Sequence, residues 1–83
     1  MPHAHFGLGN VQASQEKHAD AVASYRKAIS LGGTNAKTYT QLGLSLLALG
    51  EKQAAAALKQ ALKLHPGHPG AKRALQENGL PAE

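Results

Sequence analysis

Eighty-three residues leave room for one small domain and exclude a second. With no cysteine there is no disulfide, thiolate nucleophile or thiolate metal site. The net charge of +4, from nine Lys and Arg against five Asp and Glu scattered along the chain, is only a mild bias towards acidic partners.

The start Met1-Pro2-His3-Ala4-His5 lacks a basic region followed by an apolar run, and no stretch approaches the roughly 20 apolar residues of a membrane span. A soluble protein is expected, with the cytoplasm favoured. Gly and Pro then punctuate a chain whose apolar spacing is helical throughout. The first predicted helix runs from about His3 to Gln15, with Leu8, Val11 and Phe6 as its larger apolar groups, and breaks at Gln15-Glu16-Lys17. The second runs from about His18 to Leu31, carries Ala21, Val22, Tyr25, Ala28 and Ile29 on one face, and stops at Gly32-Gly33, where a positive φ costs little.

Asn35 is a natural N-cap for the third helix, Ala36 to Leu49, with Tyr39, Leu42, Leu46 and Leu49 on one stripe and Leu44 and Leu47 off it. Gly50 ends that helix. The fourth, Lys52 to His65, is nearly all Ala, Leu, Lys and Gln, which are strong helix formers, and Pro66 stops it. Pro69 suits the first turn of a short fifth helix to about Asn78, with Gly79 just past its end.

The chain also says nearly the same thing twice. Leu8-Gly9 recurs as Leu42-Gly43, thirty-four residues later, and Ala21-x-x-x-Tyr25-x-x-Ala28-Ile29 recurs as Ala54-x-x-x-Leu58-x-x-Ala61-Leu62. The small residues let paired helices approach closely, while Leu8, Leu42, Tyr25 and Leu58 are expected to fill the volume between units. The arrangement Tyr39-x-x-Leu42-Gly43-x-x-Leu46, then Ala54-x-x-x-Leu58, Ala61 and Pro66, resembles the tetratricopeptide repeat, a helix-turn-helix unit of about 34 residues. The first copy follows it with His5, Leu8, Gly9, Gln12, Ala21, Tyr25 and Ala28.

That resemblance implies an all-α fold, a right-handed superhelical array of antiparallel helix pairs. Repeat 1 would span about 2–35, repeat 2 about 36–68, and a capping helix about 69–79, all within one domain over 1–83. Three departures stand out. His5 and Gln12 replace large aromatic residues, so the first unit's outer edge looks under-filled; Gly33 replaces the closing Pro; and the Ala runs are 33 apart where the Leu-Gly pairs are 34 apart, which predicts a tighter turn at Gly50 to Gln53.

The resemblance further implies a concave groove lined by the first helix of each unit, in which a peptide or protein partner lies. Its positions here are Phe6, Asn10, Ala13, Ser14, Lys37, Thr40, Gln41, Leu44 and Leu47. Phe6, Leu44 and Leu47 would form an apolar strip of the kind that marks interaction sites, unless the fifth helix, through Ala71, Ala74 and Leu75, covers part of it. One subclass of the family clamps acidic chaperone tails. Asn10 matches one place of that clamp, but the others hold Phe6, Gln41, Gly70 and Ala74, and Lys72 and Arg73, being adjacent, point roughly 100° apart on a helix. The clamp is not expected.

Other chemistry finds little purchase. Five histidines do not converge as three or four metal ligands would, and the carboxylates Glu16, Asp20, Glu51, Glu77 and Glu83 are not paired, so neither an enzyme nor a cofactor is expected. Arg26, Lys27, Lys59 and Lys63 lack an aromatic platform, which makes nucleic acid a poor partner. Self-assembly through open ends or the groove is the alternative to partner binding, because two repeats and a partial cap are near the lower limit of a stable stack.

Overall fold

The computed structural model describes residues 2–80, the side chain of Pro2 excepted; Glu83 among the carboxylates above lies outside this range. The described residues form five helices in sequence, α1 (Pro2–Ser14), α2 (His18–Ser30), α3 (Ala36–Ala48), α4 (Gln53–Leu64) and α5 (Pro69–Glu77). The most extensive packing joins α1 to α2 and α3 to α4, α2 then bridges to α3, and α5 lies mainly on α4. This is an all-α helical repeat array.

Local chemistry accounts for the ends. Asn35 caps α3 as expected, its Oδ1 accepting from the Thr38 amide at 2.9 Å and the Thr38 hydroxyl at 3.1 Å. At the start of α5 the cap is His68, whose Nδ1 accepts from the Ala71 amide at 3.3 Å beside Pro69 in the first turn. Four helix C-termini close in one way, by a residue in the left-handed region followed by an amide that bonds the carbonyl five residues back. Gly32, Gly50 and Gly79 hold three of these positions, with Gly33 to Ala28, Glu51 to Leu46 and Leu80 to Leu75 as the closing bonds. After α1 the position falls to Glu16, at φ 62°, and Lys17 donates to Gln12 at 2.8 Å.

Two glycines serve a different end. A Cβ on Gly9 would lie 2.6 Å from the Tyr25 ring, and one on Gly43 would lie 2.6 Å from Leu58 Cγ, so each marks a close approach within a helix pair. The cores follow from this. Ala21, Val22, Tyr25, Leu42, Leu46, Ala54 and Ala57 form one buried cluster, with Phe6, Ala13, Ile29, Tyr39 and Leu47 packed against it. Ala36, Leu58, Ala61, Ala71, Ala74 and Leu75 form the other.

Three expectations need correction. Leu8 does not fill volume between units: it is 47 % exposed and Val11 is 53 % exposed, and the large residue that α1 turns inward is Phe6. Leu49 is exposed because α3 has ended at Ala48. The turn between α3 and α4 is not tightened either, since the connection Leu49 to Lys52 is one residue longer than Gln15 to Lys17. The first turn of α4 is shorter instead: Ala54 is its second residue, whereas Ala21 is the fourth of α2.

The under-filled place at Gln12 has a compensation that spacing could not reveal. Its Oε1 accepts from the Ser24 hydroxyl at 2.6 Å, and Ser24 is buried, so a polar tie stands where an aromatic contact was expected.

Candidate partner-binding groove

The face of α3 left open is narrow. Ala36, Thr38, Thr40, Leu42, Gly43, Ser45 and Leu46 are buried, while Lys37, Leu44 and Ala48 are exposed and Gln41 is half-buried between them. At 3.6 residues per turn these four fall on one stripe, i, i+4, i+7 and i+11. Leu44, 41 % exposed, is its apolar centre.

On α1 the matching stripe is His3, Gly7, Asn10 and Ser14, all exposed. The two helices meet near their N-termini, where Lys37 Nζ lies 5.8 Å from the Phe6 ring centroid and a cavity of about 340 Å³ is lined by His3, Phe6, Gly32, Gly33, Asn35, Lys37 and Thr38. Phe6 is half-buried and meets Tyr25 at 5.8 Å with a tilt of 49°. An apolar ring with a cation over it is a natural seat for a side chain carrying both apolar and acidic character.

Asn10 is fixed from beneath. Its Oδ1 accepts from the Tyr25 hydroxyl at 2.6 Å, and the Tyr25 ring is fully buried. Burial pushes the phenol's pKa above its ordinary value, since loss of solvation disfavours the charged form. Tyr25 therefore orients Asn10 as a neutral donor.

The remaining groove positions are less open. Ala13 and Leu47 are half-buried against the cores. Ser14 is exposed, but its hydroxyl bonds the Val11 carbonyl at 2.7 Å. Thr40 is buried and bonds the Ala36 carbonyl at 2.7 Å, with Gly70 of α5 against its methyl group. The fifth helix thus covers Thr40 and leaves Leu44 bare. His3 and Ala48 were missed from sequence; the register Lys37, Gln41, Leu44, Ala48 was the signal that could have found the second.

His65 and His68 stand edge to face at 5.6 Å, with His68 engaged as a cap; no group of three metal-ligating side chains occurs among the described residues. Arg26, Lys27 and Lys63 are exposed and Lys59 half-buried along α2 and α4. No helix among the described residues is long and apolar enough to cross a membrane.

The tetratricopeptide repeat profile matches residues 1–36 and again 40–75. The chain belongs to the tetratricopeptide repeat family. The first match takes in α1, α2 and the loop after them, and the second takes in most of α3, all of α4 and α5 as far as Leu75. No significant match was found among curated proteins. Tetratricopeptide repeats generally mediate protein–protein interaction or scaffolding, and they typically are not enzymes.

Proposed function

We propose that this tetratricopeptide chain is a non-enzymatic binding module that holds a peptide or protein segment along α1 and α3. Phe6, Asn10, Lys37, Gln41 and Leu44 make direct contact, and Ala13, Ser14, Thr40 and Leu47 form the floor and margins. The observation that carries this is the single open stripe of α3, with a leucine at its centre and a lysine at its N-terminal end. Lone exposed leucines are ordinary. One aligned with Lys37 and Gln41 and continued by Phe6 and Asn10 on the next helix is a surface with a direction.

The ligand that fits is an extended segment with an apolar side chain over Leu44 and an acidic group towards Lys37. Selection from a displayed random-peptide library tests this. Binders should share that pattern and lose at least about tenfold in affinity, some 1.4 kcal/mol, on Leu44→Asp or Lys37→Glu while the helical signal is unchanged. Binders indifferent to both substitutions would place the site elsewhere.

A further inference from the structure

The end of α5 carries a reactive pair. The chain has three asparagines, Asn10, Asn35 and Asn78, and only Asn78 is followed by glycine. The amide carbon of an asparagine side chain is open to attack by the backbone nitrogen of the next residue, and glycine, with no side chain, leaves that nitrogen unscreened. Asn10 lies inside α1 and is followed by the branched Val11, and Asn35 is followed by Ala36 at the start of α3. Asn78 and Gly79 are both exposed to water, and a Cβ placed on Gly79 would have nothing within 4 Å.

The same pair locks the helix end. Gly79, at φ 65°, turns the chain back, so that its amide donates to the Gln76 carbonyl at 3.2 Å and the Leu80 amide donates to the Leu75 carbonyl at 2.8 Å. Asn78 Nδ2 donates to the Ala74 carbonyl at 2.8 Å, and Leu80 packs against the buried cluster that contains Leu75. The attacking nitrogen and the leaving nitrogen are thus both held by carbonyls of α5. Neither is free to react until the last turn opens.

We infer that Asn78 is a site of spontaneous deamidation, and that opening of the α5 cap sets its rate. The Gly79 nitrogen bonds to Asn78 Cγ, the Cγ–Nδ2 bond breaks, and Nδ2 leaves as ammonia with the proton that the Gly79 amide gave up. The product is a cyclic imide, which takes up one water. Opening its bond to Cγ leaves aspartate on an ordinary backbone; opening its bond to the α-carbonyl carbon leaves isoaspartate, with the chain now running through Cγ. No oxidant, metal or enzyme takes part. Either product removes the donor to Ala74 and sets a negative charge beside Glu77 at the carboxyl end of α5, where the helix dipole opposes it. Isoaspartate also lengthens the backbone by one carbon and carries the Leu80 amide away from Leu75. The reaction therefore loosens the cap that restrained it. Two hydrogen bonds at an exposed helix end open at small cost, so the rate in the folded chain falls about tenfold below that of a free peptide.

Mass spectrometry with peptide mapping, on the full chain incubated at neutral pH beside a synthetic peptide of residues 75–80, reads both the site and the rate. Methyl transfer by an isoaspartyl methyltransferase identifies the isoaspartate. Product should collect at Asn78 and not at Asn10 or Asn35, about tenfold more slowly than in the peptide, and Asn78→Gln should abolish it. Leu80→Ala weakens the contact that seats the cap, so hydrogen exchange at the Gly79 amide and deamidation at Asn78 should quicken together. Urea below the unfolding transition opens the cap without a substitution and should do the same. Asn78→Asp, which is one of the two products, should speed exchange at the Leu80 amide several-fold. The proposal would be overturned by product appearing first at Asn10 or Asn35, or by none at Asn78 after many half-lives of the peptide. A rate equal to the peptide's, a rate indifferent to both ways of opening the cap, or unchanged Leu80 exchange in Asn78→Asp would overturn it as well.

Discussion

Gly7→Ala and Gly9→Ala make the same chemical change two residues apart in one helix, and they should move stability in opposite directions. Both gain helix propensity, about 1 kcal/mol per substitution. At Gly7 nothing lies within 4 Å of the new methyl, so that gain stands alone. At Gly9 the methyl would meet Tyr25 Cε1 at 2.6 Å and Cδ1 at 2.7 Å, far inside van der Waals contact. The ring cannot swing aside freely, because it is fully buried and its hydroxyl is tied to Asn10 at 2.6 Å. Overpacking of this kind costs about 1–3 kcal/mol, and a shift that breaks the hydroxyl bond costs about 1 more. After the propensity gain is subtracted, Gly9→Ala should destabilise by about 1–3 kcal/mol. Thermal unfolding followed by far-UV circular dichroism should show Gly7→Ala raising the Tm by about 4–8 °C and Gly9→Ala lowering it by at least as much. A Gly9→Ala protein as stable as wild type would refute the close approach of α1 and α2, and a destabilised Gly7→Ala would show that Gly7 has a contact the structure lacks.

Glu16 offers a simple gain, because it holds φ 62° where the other three helix closures use glycine. Glu16→Gly should stabilise by about 1 kcal/mol in urea unfolding. His68→Ala removes the cap of α5 and should cost about 0.5–2 kcal/mol, with amide exchange fastest in Ala71 to Leu75, and His68→Asn should restore protection. Tyr25 makes the fold sensitive to alkali: with its pKa raised by burial, its contribution is complete below the unfolded value of about 10 and is lost as pH rises through the higher folded value. Tyr25→Phe should flatten that alkaline limb, and a Tyr25→Phe profile as steep as wild type would exclude Tyr25 as its source.

The helices, their order and the close-packing glycines were legible in the sequence, because periodicity and punctuation are local properties and the repeat states them twice. Gly9 and Gly43 answer to Tyr25 and Leu58 across the helix pair at the spacing that the duplication shows. Other features were not legible. The polar tie between Gln12 and Ser24, the cap at His68 and the left-handed Glu16 each depend on a partner or dihedral that residue type alone does not announce. Within the candidate groove, Thr40 and Leu44 looked alike as third-helix positions, yet α5 covers one and leaves the other open.

Leu8 and Leu42 bring this to a point. The sequence by itself determined that both occupy the same place in a repeat and that this place packs against a neighbouring helix. Only the tertiary structure decided that Leu42 has such a neighbour in α2 and that Leu8, among the described residues, is left exposed. The physical reason is that a helical repeat buries its faces only through adjacent units, so equal sequence positions become core or surface according to what stands beside them.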